Sequence, residues 1–145
     1  MKKIILMLFF IGLSYFSFSQ LPIGKNLKIG EKEIKTFFQD HGYHYLKTWE
    51  GLAPGQLPTY YMYFSEEFIV SIHINKFENI TILNFHSEKL KVIDEIMKKL
   101  NFKNWSFVNT KNEFPEHLTK VYQYKGYHIE YTDWGYYQFT VRAIE

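Results

Sequence analysis

The sequence predicts an α+β domain: an antiparallel sheet with two helices on one of its faces, written as a helix and four strands, twice. Three observations predict it. Two segments carry apolar residues at the 3.6-residue spacing of a helix. Several runs alternate apolar and polar residues with a period of two, the mark of a strand with one buried face. Short turns link many of these runs, and strands joined that way are antiparallel, because a parallel connection needs a long crossover. A length of 145 residues allows one domain of ordinary size. With 46% hydrophobic, 20% aromatic and 22% charged residues, the chain is not disordered, collagen-like or a long coiled coil. The absence of cysteine excludes a disulfide scaffold, a zinc ribbon, a thiol nucleophile and a cysteine-linked lipid anchor.

The first nineteen residues read as an address rather than as part of the fold. Lys2 and Lys3 precede an apolar run, Ile4 to Leu13, broken only by Gly12, and small residues follow at Ser17 and Ser19. That is the layout of a secretory signal peptide cut between Ser19 and Gln20. An uncleaved anchor needs about 20 apolar residues to cross the hydrocarbon core. Here the run decays into Ser14, Ser17 and Ser19. The expectation is export to the periplasm or the outside of the cell, with no stable membrane insertion after cleavage. Two of the 17 basic residues and none of the 15 acidic ones lie in this leader, so the remainder carries 15 of each. Lys89, Lys91, Lys98 and Lys99 sit among Glu88, Asp94 and Glu95, an ordinary solvated helix face. No basic block is left to release counterions, and no nucleic-acid partner is expected.

Residues 20–30, with Pro22, Gly24 and Gly30, read as an extended lead-in, and residues 31–145 as the domain, in halves 31–86 and 87–145. From Glu31 the pattern is helical: Ile34, Phe37, Phe38 and His41 share one face. Glu31 and Glu33 are placed in the first turn, where the helix dipole favours carboxylates, and Gly42 at the left-handed C′ position that ends the helix. Strands are expected at Tyr43–Trp49, Thr59–Phe64, Phe68–Asn75 and Ile80–Phe85. Leu90, Ile93, Met97 and Leu100 mark the second helix, with Ser87 as its N-cap and Asn101 at its end. Strands follow at Asn104–Asn109, Thr119–Tyr124, Tyr127–Thr132 and Tyr136–Ala143. Thr110 to Leu118, with Pro115, is read as a loop. Ile34, Phe38, Phe68, Val70, Ile72, Ile74, Ile93, Met97, Phe139 and Val141 are the expected core.

An antiparallel sheet can leave one face to water, and function is sought there. The alternation places Ser71, His73 and Asn75 on that face, with His128, Glu130 and Thr132, and with Tyr136, Gln138, Thr140 and Arg142. It adds Thr59, Tyr61 and Tyr63, groups Tyr45, Lys47 and Trp49 together, and sets Tyr122 beside Tyr124. Tyr, Trp and Arg are the residue types enriched at interface anchors, each joining a large area to a polar tip. The candidate binding residues are Trp49, Tyr61, Tyr63, His73, Tyr124, His128, Tyr136 and Arg142. Tyrosine is also a good strand former, and half-buried tyrosines line many sheets that bind nothing.

The order of one helix and four strands, twice, with aromatic residues on the open sheet face, resembles the beta-lactamase-inhibitor-protein fold and, more loosely, the PepSY-like periplasmic proteins. The resemblance covers residues 31–143 and rests on element order. It implies a partner protein bound on the concave sheet face. By that resemblance Trp49, Tyr61, Tyr63, His73, Tyr124, Tyr136 and Arg142 form the analogous surface. The chain departs from some members in lacking cysteine and in its loops.

The six histidines, His41, His44, His73, His86, His117 and His128, match no H-x-x-x-H or H-E-x-x-H spacing, and no metal is expected. No glycine-rich phosphate loop and no calcium-loop spacing occurs, so no cofactor is expected either. The sequence therefore points to a non-catalytic protein binding a protein or peptide, with inhibition as one form of that activity. A glycan or envelope polymer stacked on Trp49, Trp134 and the tyrosines is the second reading. A small hydrolase using His73 with Glu130, and His128 beside them, is the third.

Overall fold

The structure, a computed structural model, describes residues 21–144 apart from 66–67, 101, 115–116 and 134–135. The leader, Asn101, Pro115 and Trp134 thus lie outside the described residues. Helix α1 spans Leu27–Asp40 and is followed by β1 (Tyr45–Gly51), β2 (Thr59–Phe64), β3 (Phe68–Ile74) and β4 (Ile80–Ser87). Helix α2 (Leu90–Lys99) and a 3-10 turn (Phe102–Asn104) lead into β5 (Ser106–Phe114), β6 (His117–Tyr124), β7 (Tyr127–Asp133) and β8 (Tyr137–Ala143). The strands form one antiparallel sheet in the order β1-β2-β3-β4-β8-β7-β6-β5. Each run of four strands is a meander, and the two meanders meet where β4 pairs with β8. No helix among the described residues is long and apolar enough to cross a membrane.

Helix α1 begins four residues before the position expected from the pattern. Asn26 is its N-cap, and its side-chain oxygen accepts the Lys28 backbone N–H at 3.1 Å. Glu31 and Glu33 therefore lie past the first turn, and Glu33 takes both oxygens to Lys25 Nζ at 2.7 and 2.8 Å. The misplacement came from reading Gly30 as a breaker. Nor is the lead-in extended: residues 22–25 turn, with Gly24 at φ +84° and the Lys25 N–H bonded to the Pro22 carbonyl, and this turn pairs with the β3–β4 connection, where Gly24 donates to the Ile80 carbonyl and Ile80 to that of Lys25. This pins the first turn of α1 onto Ile80, and Gly30 is the residue small enough for the contact.

The end of α1 follows the expected pattern. Gly42, at φ +87°, donates to Gln39, and Tyr43 donates back to Phe38, the paired bonds of a Schellman motif. The Tyr43 ring then packs edge-on against Phe38 at 5.9 Å. In α2, Lys89 is the N-cap rather than Ser87. Ser87 Oγ accepts the Lys89 N–H at 3.1 Å one step earlier, and Lys98 and Lys99 occupy the last turn, where the dipole favours cations.

The core lies between the helices and one face of the sheet. Phe38 meets Phe68 at 4.8 Å, Phe64 at 5.1 Å and Phe85 at 6.1 Å. Ile34, Val70, Ile72, Ile93, Phe139 and Val141 are fully buried with it. Burying each such side chain is worth roughly 1.5–3 kcal/mol. Trp105 closes the α2 end of this layer, its indole N–H reaching the Leu100 carbonyl and its ring lying 5.9 Å from Phe139.

The expected loop at Thr110–Leu118 is not a loop. β5 runs on to Phe114 and β6 starts at His117, and the segment pairs from Thr110↔Lys120 to Phe114↔His117. The polar run read as loop is an edge strand whose residues 106–110 are all exposed, so no buried face imposes an alternation on it. The start of β5 is also later than expected, because Phe102–Asn104 is a 3-10 turn.

Gly30→Ala tests the close approach of α1 to Ile80. An alanine in a helix normally gains about 1 kcal/mol over glycine. Here the added carbon collides with the Ile80 side chain and crowds Pro22. We expect overpacking to win, lowering stability by about 1 kcal/mol in urea denaturation. A raised midpoint would show that α1 does not rest on Ile80.

Candidate functional site

The helices cover one face of the sheet, and the pairing registers set the side chains of the other in rows. One row crosses the sheet through Trp49, Tyr61, Ser71, Asn84, Thr140, Glu130 and Val121. Cross-strand partners lie about 5 Å apart on one face, so these side chains are neighbours. The flanking rows carry Thr59, His73, Ile82, Arg142 and His128 on one side, and Tyr63, Ile69, His86, Gln138 and Thr132 on the other.

Three zones follow from this placement. The first, on β1 and β2, is aromatic. Trp49 is 57% exposed, and its ring lies 5.5 Å from that of Tyr61. Both rings lie against Gly51, where a side chain would displace them. Lys47 is set over the Tyr63 ring at 5.3 Å.

The second zone, on β3, β4 and β8, is a directed hydrogen-bond chain. Gln138 Nε2 donates to Thr140 Oγ1 at 3.1 Å, and Thr140 donates to Asn84 Oδ1 at 2.7 Å. Asn84 Nδ2 then donates to His73 Nε2 at 3.0 Å and to Ser71 Oγ at 3.3 Å. With Nε2 accepting, the neutral His73 carries its proton on Nδ1, which faces Thr59 Oγ1 at 3.4 Å. Burial lowers the pKa of His73, and likewise that of His86. The chain as drawn requires His73 neutral.

The third zone, on β5, β7 and β8, is charged. Glu130 Oε1 accepts from Lys111 Nζ at 2.7 Å and from His128 Nε2 at 3.1 Å, and Arg142 Nη2 forms an ion pair with it at 2.8 Å. Burial alone raises the Glu130 pKa, but hydrogen bonds from Lys111 and His128 and the charge of Arg142 outweigh it and hold the carboxyl below its ordinary value. Lys111 reaches over β6 to make its contact, and beneath it Thr119 and Val121 are only 1% exposed although they lie on the open face. At one end of the face, between Tyr63, Ile69, His86 and Tyr136, a cleft of about 440 Å³ opens beside Lys89. His86 Nε2 is buried there with no hydrogen-bond partner among the described residues.

Of the eight candidate residues, six lie on the open face: Trp49, Tyr61, Tyr63, His73, His128 and Arg142. Tyr136 precedes β8, exposed at the mouth of the cleft. Tyr124 lies on the opposite face: it pairs with Tyr127 and packs against the core. Tyr45 also leaves the Lys47–Trp49 group, because a bulge between Tyr45 and Lys47 turns it inward against Phe64, at 5.9 Å. His73 and Glu130 are not brought together. β4 and β8 separate their strands, a distance of roughly 14 Å at normal strand spacing. The imidazole that meets Glu130 is His128, and neither lines the cleft. Trp134, on which the glycan reading partly rests, lies outside the described residues. Among the described residues no three side chains gather as a metal site.

Asn84 and Lys111 are site residues the alternation did not place on this face, and Thr140, which it did, was not among the eight candidates. Asn84 and Thr140 are ordinary strand polar residues whose meaning depends on register. Lys111 fell in the segment read as loop. Comparison with protein-family models, curated proteins and solved structures finds no match to this chain.

The depressed pKa of His73 makes a stability prediction. Its folded value lies below the unfolded value of about 6.5, so below that pH the unfolded chain binds more protons. Stability is full above about pH 6.5 and is lost as pH falls toward the folded value. Urea unfolding at pH 7.5 and pH 5.5 should show that loss, smaller in His73→Gln. An equal loss in the two proteins would mean that His73 is not held neutral by the fold.

Proposed function

We propose that the chain is an exported, non-catalytic binding protein that engages a protein or peptide partner through the open face of its sheet. The observation that carries this reading is the aromatic zone: Trp49, more than half exposed, beside Tyr61, with Tyr63 on the same strand, on a face that no helix among the described residues covers. A large ring left in water is a ready anchor, since docking removes apolar area while the polar tip keeps a partner. The hydrogen-bond chain next to it is already ordered, which lowers the entropy lost on association. From β1 to β7 the face spans roughly 24 Å, suited to a protein or an extended peptide rather than to a small molecule. The basic start and short apolar run before Ser19 support export. A partner protein is also what the resemblance in element order to inhibitor proteins with an open sheet face implies.

The double variant Trp49→Ala/Tyr61→Ala tests the proposal. A partner captured from an envelope or secretome extract by the wild type should be lost, while unfolding free energy changes by no more than about 1 kcal/mol, as for other solvent-facing substitutions. A drop of several kcal/mol would identify the rings as structural. Retention of the partner by the variant would move binding elsewhere, and capture on a polysaccharide gel instead would favour the glycan reading.

A further inference from the structure

The charged zone is not balanced. Glu130 brings one negative charge, and Lys111 and Arg142 bring two fixed positive ones. Among the described residues no second carboxylate pairs with either cation. An ammonium offers three donors and a guanidinium five; Glu130 accepts one from Lys111 and holds Arg142 as an ion pair. Both cationic side chains remain about two-fifths exposed, whereas Glu130 is sunk to 15%. The carboxylate thus acts as a buried post that fixes the two cations, and their unused N–H groups face solvent. Lys47 lies on this face as well, while Glu50 of β1 and Asp133 of β7 stand on the other face, paired with Tyr60 and Tyr137.

We infer that the partner is acidic: it lays a carboxylate side chain on Lys111 and Arg142 while its apolar residues meet Trp49 and Tyr61. The inference deepens the proposed binding function and rests on it. Charge complementarity decides the chemistry, because an acidic group relieves the excess positive charge and a basic one adds to it. A carboxylate matches the planar fork of a guanidinium, and its hydrogen bonds there are charge-assisted. Glu130 supplies positioning: it holds Arg142 on β8 and Lys111 on β5 together across β7 and β6.

Two probes test this on the whole protein. One is an acetylated, amidated peptide of alternating leucine and glutamate, the other the same peptide with glutamine. Binding is followed by NMR at the Trp49 indole N–H and the Arg142 side-chain N–H. We expect the glutamate peptide to shift both signals and to bind about tenfold more tightly than the glutamine peptide, with the difference shrinking as salt is raised. In Lys111→Gln/Glu130→Gln/Arg142→Gln, which leaves no unpaired buried carboxylate, the preference should vanish while the Trp49 response persists. Equal binding of the two peptides with a moving Trp49 signal overturns the acidic-partner inference and leaves the aromatic docking surface standing. Silence of both signals for both peptides at millimolar concentration overturns both. Inorganic phosphate that shifts Arg142 as strongly as the glutamate peptide, and displaces it, overturns the inference in favour of a simple anion site.

Discussion

The structure depends on one constraint: eight strands in a single antiparallel register must keep their larger apolar set toward the helices. A slip of one residue in any strand exchanges its two faces. The penalty is steep in the middle of the sheet, where Phe68, Val70, Ile72 and Ile74 of β3 all stand against the helix layer and none is more than 8% exposed. Phe38 reinforces it from the other side, since its ring contacts side chains of β2, β3 and β4 together. The helix is in turn held against the sheet at both ends, by the lead-in paired with the β3–β4 turn and by the cap that folds Tyr43 back onto Phe38.

The same constraint composes the open face. Once the apolar set is buried, the intervening residues are forced into rows on the other side, and their chemistry becomes collective. Asn84 matters because β3 lies on one side of it and β8 on the other, so one amide joins His73, Ser71 and Thr140. Glu130 matters because Arg142 and Lys111 reach it from strands on either side. Neither arrangement is local in sequence. The face therefore divides into an exposed aromatic end, a neutral ordered middle and a cationic end.

The parts legible in the sequence were those with strong alternation or a terminating residue. β2 appears with the bounds expected, β3 ends one residue early, and Gly42 closes α1 by the expected conformation. The failures have physical causes. Gly30 looks like a breaker because its role, making room for Ile80, depends on a residue fifty positions away. The bulge in β1 reverses Tyr45 without leaving a mark in the alternation. β6 carries apolar residues on both faces: Tyr122 and Tyr124 pack toward the core, while Val121 is covered on the open side. Its phase was thus ambiguous, and Tyr124 was assigned to the wrong face. The polar edge strand β5 had no periodicity to read, and Lys111 went unnoticed with it.

The absence of cysteine permits a direct measurement of the two-faced sheet. Single cysteines at Tyr61, His73 and Arg142, and at Met62, Ile72 and Val141, report each face through the rate of thiol labelling in the folded protein. The account predicts rapid labelling of the first three and protection of the second three until the chain unfolds. Protection at Tyr61, His73 and Arg142, or labelling at Ile72 as fast as at His73, would contradict a sheet with one open and one buried face.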